Sequence, residues 1–138
     1  MIHTVRTVYN DKMAFTADIS GHKVLMDTTE DDGGENKAPS PKRMMLAALT
    51  ACTGMDIVPM LNKMKVPFSD FSVEVDATVA DDYPKIYNKV KLTYKIKMAE
   101  EHRPKMEKAV SLSQEKYCSV SAMFRYFAKM ETEIVIIK

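Results

Sequence analysis

The sequence is sparing in the residues that most often carry metal, cofactor or covalent chemistry. Its 138 residues include two cysteines, three histidines, four glycines and no tryptophan. The histidines, His3, His22 and His102, are scattered, and neither cysteine has a second ligand within a few residues, so no metal site is expected. No GxGxxG or GxxxxGK(S/T) phosphate loop and no GxSxG motif is present. We therefore expect no cofactor, and nucleotide binding and serine hydrolysis have no local support.

An excess of charge of either sign is also missing. The 20 Lys and Arg residues almost balance the 19 Asp and Glu residues, which leaves a net charge of +1 and no electrostatic footprint for nucleic acid. No secretory signal is recognisable, and no apolar run reaches the roughly 18 to 20 residues that a membrane span needs. We therefore expect a cytoplasmic protein with neither a nucleic-acid nor a membrane partner. In that reducing compartment a purely structural disulfide is not expected.

The alternation of apolar and polar residues predicts an α+β fold in a single domain over residues 1–138. Strands are predicted at residues 2–9, 13–19, 23–27, 71–80, 86–98 and 133–137, and they are expected to form antiparallel sheets. Ser40-Pro41 opens a buried helix that runs to about residue 65 and is expected to kink at Pro59. Further helices are predicted at residues 103–116 and just after Cys118. The polar, Gly-containing residues 28–37 predict a mobile loop.

The two cysteines, Cys52 and Cys118, are the candidate reactive groups. Cys52 lies in an apolar helical run about three turns from the helix start, where the dipole has faded, so only a cation brought in by the fold would activate it. Cys118 stands just ahead of a helix start, so it is better placed than Cys52 for a helix dipole to lower its pKa. The polar residues Thr50, Thr53 and Asp56 on the first helix indicate a small polar pocket. From these patterns alone, the pair is a redox couple, a disulfide staple or two inert thiols.

Four segments carry a more specific pattern: residues 21–27 (GHKVLMD), 38–41 (APSP), 46–58 (LAALTACTGMDIV) and 112–120 (LSQEKYCSV). Together with the order of the elements, they resemble the OsmC/Ohr family of bacterial peroxide-detoxifying proteins over essentially the whole chain. The resemblance implies an OsmC-like fold, in which antiparallel sheets wrap two central helices of an intertwined homodimer. It also implies two active sites at the dimer interface.

The resemblance assigns roles to both thiols. Cys52 is expected to attack a small hydrophobic hydroperoxide and become a sulfenic acid, and Cys118 is expected to condense with it to a disulfide. A dithiol reductant, such as a lipoylated protein, is expected to reopen that bond. A buried thiolate near a resolving thiol is the arrangement that stops oxidation at a reversible step. The implied activity is that of a thiol peroxidase of the organic hydroperoxide reductase type.

One stretch departs from the family pattern. Peroxidase members carry a Glu nine or ten residues before the first cysteine, paired with an Arg that touches the thiolate, and here those positions are Arg43 and Lys42. Arg43 is a candidate to face Cys52, with Glu35 or Asp32 as its carboxylate partner; the competing interpretation is that it projects into solvent. The departure also supports a second hypothesis, a non-catalytic OsmC-like protein that binds a hydrophobic ligand in a Met-lined pocket at the dimer interface.

Overall fold

The first of two compact units, residues 1–46, contains a three-stranded antiparallel meander. The computed structural model describes all 138 residues. Strands β1 (Arg6–Asp11), β2 (Ala14–Ile19) and β3 (His22–Met26) pair in that order. The three predicted strands are thus confirmed, with β1 starting at Arg6 rather than at residue 2. The turns between these strands use left-handed backbone, with φ of 51° at Lys12 and 85° at Gly21.

The loop after β3 is organised by a buried carboxylate. Asp27 is 3% exposed, and its two oxygens accept backbone N–H bonds from Thr28, Glu35 and Lys37 at 2.8, 3.3 and 3.2 Å. Gly34 passes so close to the Thr28 carbonyl that a Cβ there would collide with it. The sequence predicts a mobile loop here, and the structure differs. The buried Asp27 side chain accepts hydrogen bonds from backbone N–H groups of the loop that would otherwise lack a partner within the protein.

A long helix, α1 (Pro41–Lys63), begins at the predicted Ser40-Pro41 start and includes the boundary between the units. Its buried residues recur at every fourth position and so form one face. They are Leu49, Thr53, Ile57 and Leu61. Pro59 lies inside the helix, and the kink expected there stays a prediction.

The remaining faces of α1 are open in the single chain. Met55 is 74% exposed and Met45 is 47% exposed. By length and composition alone α1 could cross a membrane, and only 22% of its apolar stretch is buried. The expectation that no apolar run reaches this length is therefore wrong. Core helices of soluble proteins meet the same criterion, and α1 carries a buried threonine whose hydroxyl is paired within the fold.

The second unit, residues 47–138, is built on a sheet in the order β4 (Ser69–Val79), β5 (Tyr87–Lys97), β6 (Lys129–Ile137). β4 and β5 are antiparallel, but β6 runs parallel to β5. The expectation of purely antiparallel sheets is therefore wrong for this one. A parallel neighbour requires a long crossover, and the helical connection between β5 and β6 supplies it.

That crossover carries Cys118. After a 3₁₀ turn (Glu100–His102) come α2 (Arg103–Leu112), a π-helical turn (Ser113–Tyr117) and α3 (Ser119–Phe124). The helix predicted at residues 103–116 thus ends as α-helix at Leu112 and continues with π geometry. π turns inside helices are often found at functional sites.

The core of the second unit lies between its sheet, the buried face of α1 and the crossover helices. Its completely buried apolar side chains come from all of these elements. They are Leu49, Ile57, Leu61, Val90, Leu92, Tyr94, Ile96, Met106 and Ala109. The predicted α+β class is confirmed.

Candidate functional site

The fold brings the two cysteines together within the second unit. Both thiols are free; Cys52, on α1, is half-buried and Cys118 is 2% exposed. The two side chains lie close together, and the Cys52 thiol raises the pKa of the Cys118 thiol. Since Cys52 keeps more of its surface, it offers the sulfur that a solute reaches more easily.

Cys118 is held at the junction between the π-helical turn and α3. It caps α3 with an extended backbone, and its Sγ accepts the N–H of Ser121 at 3.4 Å. Its own N–H donates to the carbonyl of Ser113 at 2.7 Å. The prediction that Cys118 directly precedes a helix is confirmed. Its sulfur is therefore fixed by backbone geometry on both sides.

The surroundings of Cys118 act on its ionisation in opposite directions. Burial raises the pKa of the Cys118 thiol most strongly, and the neighbouring Cys52 thiol also raises it, whereas hydrogen bonds from Ser121 lower that pKa. The net direction is upward, because desolvation of a thiolate outweighs these donors. Cys118 is therefore a protonated thiol at neutral pH.

A buried polar network adjoins the Cys118 thiol. The Thr53 hydroxyl lies 2.8 Å from the Tyr94 hydroxyl and 2.7 Å from the Ser113 hydroxyl. Ser113 in turn donates to the carboxylate of Asp56 at 2.8 Å. Thr53, Ser113 and Tyr94 are 0% exposed, so each of these hydrogen bonds replaces water that the hydroxyls cannot reach.

Gln114 joins this network to the cysteine. Its Nε2 donates to the Tyr94 hydroxyl and to the Ser121 hydroxyl, each at 3.1 Å, and more weakly to Thr53 at 3.3 Å. Burial raises the pKa of Tyr94 to about 12, so its phenol keeps its proton. No buried side-chain nitrogen or oxygen in the protein lacks a partner. The polar cluster is therefore fully satisfied.

Of the three polar residues predicted to form a pocket on α1, Thr53 and Asp56 belong to this hydrogen-bond network and Thr50 does not. The Thr50 hydroxyl bonds to the carbonyl of Ala47, in its own helix, at 3.0 Å. The sequence did not single out the network members that come from other elements. They are Tyr94, Ser113, Gln114 and Ser121. These polar side chains interrupt apolar patterns in a strand and in the helical segments around Cys118. The sequence near each of them does not indicate that they contact one another.

The candidate pair of Arg43 with Glu35 or Asp32 is not formed, and Asp32 accepts instead from the Thr29 hydroxyl. The Arg43 guanidinium donates to the Ser40 hydroxyl at 3.4 Å. The carboxylate of Glu35 pairs instead with Lys12 at 3.0 Å and with Lys37 at 3.2 Å, and these two ammonium groups lower the pKa of Glu35. Glu35 thus has nearer cations than Arg43. A role for either residue at the thiols stays a prediction.

An apolar groove of about 580 Å³ lies where α1 passes the edge strand β4. Its lining includes Ala51, Met55 and Val58 from the helix, and Phe71 and Val73 from the strand. Met55 is the one methionine among them, so the groove is apolar without being Met-lined. Cys52 does not line it, although its sequence neighbour does. The groove can accept a hydrophobic molecule beside the helix turn that carries Cys52.

Comparison with known proteins shows the family and the fold of the chain. A family model described as OsmC-like protein matches residues 34–133. Protein YhfA of Escherichia coli (strain K12) is 34% identical over 104 residues, which are 75% of each chain.

Solved structures share the fold over almost the full length of the chain. A protein of Aquifex aeolicus VF5 superposes with a TM-score of 0.85 at 24% identity, covering 99% of this chain and 97% of that one. An organic hydroperoxide resistance protein OsmC of Legionella pneumophila superposes with a TM-score of 0.72 at 18% identity, covering 99% and 98%. The predicted OsmC-like fold is confirmed, and the chain belongs to the OsmC-like protein family.

Proposed function

We propose that this protein is a thiol peroxidase that reduces small organic hydroperoxides through Cys52 and Cys118. The observation that carries the proposal is the proximity of two free thiols, one half-buried and one buried. Membership of the OsmC-like family supports it, since the Legionella protein with the same fold is named for organic hydroperoxide resistance.

The thiol geometry supports a two-step reaction. In the first step the Cys52 thiolate attacks the outer peroxide oxygen, the O–O bond breaks, and the alkoxide leaves as alcohol after taking a proton, which leaves a Cys52 sulfenic acid. In the second step the Cys118 sulfur attacks that sulfenic sulfur. The Cys118 proton leaves with the hydroxide as water, and a disulfide forms. Because Cys118 is protonated at neutral pH, it brings the proton that this second step consumes.

Regeneration requires a dithiol, which reduces the disulfide to two thiols and becomes a disulfide itself. A lipoylated protein is our proposed source of the dithiol. We also propose a cytoplasmic location, because dithiols are kept reduced in that compartment. The groove beside α1 is the proposed docking place for the hydrophobic part of the hydroperoxide, since its lining is mainly apolar.

We further propose that the active form is a homodimer. The single chain leaves apolar side chains exposed on α1, with Met55 at 74% and Met45 at 47%. The sheet of the first unit also leaves Tyr9 and Phe15 at 57% and 40% exposed. Exposed apolar side chains of this size are typical of a protein interface.

The test is consumption of cumene hydroperoxide in the presence of a dithiol, measured for wild type, Cys52→Ser and Cys118→Ser. Wild type is expected to turn over, and Cys52→Ser to fall to the background rate. Cys118→Ser is expected to react once and retain a sulfenic acid on Cys52, detectable by mass spectrometry after dimedone labelling. Equal background rates for wild type and Cys52→Ser would rule out the peroxidase.

The groove also supports a second candidate, a non-catalytic protein that binds a hydrophobic ligand. Lys42 and Arg43, at the positions where peroxidases carry Glu, favour it as well. This candidate predicts saturable binding of a fluorescent fatty acid with no peroxide consumption. Gly54 also lines the groove, and the bulky substitution Gly54→Leu is expected to abolish that binding. Thr78→Leu, at an exposed position of β4 outside the lining, is the control and should leave binding intact.

A further inference from the structure

The hydrogen bonds near Cys118 form a chain that runs from Asp56 to Ser121. Asp56 determines which partner in each bond is the donor. A carboxylate only accepts hydrogen bonds, so the Ser113 hydroxyl gives its single proton to Asp56. Ser113 must then accept from Thr53 across their 2.7 Å contact. Thr53, having given its own proton to Ser113, must accept from Tyr94 across 2.8 Å.

The same direction passes on to Gln114. With its proton on Thr53, the Tyr94 oxygen accepts, and it faces the Nε2 of Gln114 at 3.1 Å. The raised pKa of Tyr94, about 12, keeps that phenol a donor to Thr53. The amide is thereby held with its NH₂ toward the network, where its second strong contact is the Ser121 oxygen at 3.1 Å.

Ser121 is where the chain of donors ends. Its oxygen accepts from Gln114, so its own proton is free for the Cys118 sulfur. That sulfur lies close by, since it accepts the backbone N–H of Ser121 at 3.4 Å, and the Ser121 side chain lowers the pKa of the Cys118 thiol. If the chain ran the other way, Gln114 would present its oxygen, and Ser121 would donate to that oxygen instead. The Cys118 sulfur would then lose a donor.

We propose that Asp56 is a positioning residue for the second thiol: by fixing the direction of this hydrogen-bond chain, it keeps the Ser121 hydroxyl aimed at Cys118 as a donor. The inference rests on the proposed function in that Cys118 is the resolving thiol. A donated O–H stabilises negative charge on sulfur, which builds up on Cys118 as it gives up its proton and attacks the Cys52 sulfenic acid.

Asp56 acts on Cys118 in a second, opposing way. Its negative charge disfavours a thiolate through space, so removing the charge alone would make Cys118 easier to ionise. The other ionisable groups facing Cys118 are Cys52 from α1 and Tyr94 from β5. Loss of the donor and loss of the charge therefore move the Cys118 titration in opposite directions, and the sign of the change separates the two effects.

The experiment follows the titration of Cys118 by the Cβ NMR resonance of labelled cysteine, in a Cys52→Ala background with a single thiol. Asp56→Ala and Ser121→Ala are each expected to move the midpoint to higher pH, and the double variant no further than Ser121→Ala. Asp56→Asn, which keeps an acceptor oxygen, is expected to have a lower midpoint than Asp56→Ala. The matched control is Asp76→Ala, which removes an exposed charge on β4 outside the network and should leave the midpoint unchanged.

A midpoint that falls or does not move in Asp56→Ala would overturn the proposal, as would equal midpoints for the alanine and asparagine variants. Ser113→Ala breaks the chain one link later and gives an independent variant with the same expected rise, should Asp56→Ala not fold. With both cysteines present, disulfide formation after a peroxide pulse should slow about tenfold in Asp56→Ala, as expected for loss of one hydrogen bond to a charged group. The titration uses reduced protein without peroxide, so its outcome is independent of whether the protein is a peroxidase.

Discussion

At the scale of single residues, Thr53 connects the most elements. It lies on the buried face of α1 and reaches Tyr94 on β5 and Ser113 in the π-helical turn. A single hydroxyl group therefore links the central helix, the central strand and the segment that leads to Cys118. A paired buried hydroxyl contributes modestly to the free energy of unfolding. Removing its partner costs more stability, because a buried polar group is then left without a hydrogen bond.

Replacing Thr53 tests that dependence. Thr53→Val keeps the shape of the side chain but leaves the hydroxyls of Tyr94 and Ser113 without one partner each. We expect a loss of about 1 to 3 kcal/mol in the free energy of unfolding, measured by urea denaturation.

Thr50→Val is the matched control. Its hydroxyl bonds only to a carbonyl of its own helix, so a change within about 0.5 kcal/mol is expected. Equal losses in Thr53→Val and Thr50→Val would contradict the importance assigned to the network.

Helical periodicity could predict which polar residues belong to the site only for those that lie on α1 with Cys52. Thr53 and Asp56 follow that cysteine on α1, so helical periodicity places them near it. Tyr94 and Ser113 approach through tertiary contacts, and no local pattern encodes which residue of β5 faces a helix hydroxyl. The contact between Cys52 and Cys118 came from family resemblance rather than from periodicity.

At the scale of elements, the loop after β3 shows how one side chain can order a polar segment. Backbone N–H bonds from Thr28, Lys37 and Glu35 lower the pKa of the buried Asp27 carboxyl below its ordinary value, against the opposing effect of burial. Because the folded pKa lies below the unfolded one, this contribution to stability is present above the unfolded pKa. It is lost as the pH falls through the folded pKa.

The expected consequence is a stability difference that depends on pH. Asp27→Asn should unfold more easily than wild type at neutral pH, since it loses the charged acceptor of three N–H bonds. The difference should shrink below about pH 4, where the wild-type carboxyl also becomes protonated. Urea denaturation over a pH series measures it. Asp81→Asn, an exposed loop aspartate, is the control and should show a small difference at every pH; a constant gap for Asp27→Asn would contradict the role of its charge.

The strands of both sheets could be predicted from alternation, but the direction of β6 could not. Alternation shows which residues of a strand share a face and is the same for parallel and antiparallel neighbours. Strand direction follows from the connection, and here the connection holds two α-helices and a π-helical turn rather than a tight turn. The π turn was equally hidden, because its sequence continues the amphipathic pattern of α2.

At the scale of the whole molecule, the uncovered faces of α1 lead to the assembly prediction. Wild type is expected to sediment as a dimer. Met55→Lys, which places a charge in the groove, should weaken association, because burying an unpaired ammonium group is costly. Met123→Lys is the matched control: Met123 is also well exposed, at 60%, but lies on α3 outside the groove. Sedimentation of wild type as a monomer at micromolar concentration would exclude the dimer.

The parallel pairing of β6 with β5 has a consequence for biosynthesis. Cys118 lies in the crossover between these two strands, so β6 joins the far end of the segment that holds it to the sheet. While a ribosome still holds residues 129–137, both cysteines are already in the nascent chain, but the strand that secures the crossover is not yet available. The thiol pair therefore comes into register late in synthesis, after Cys52 and its helix have long since emerged.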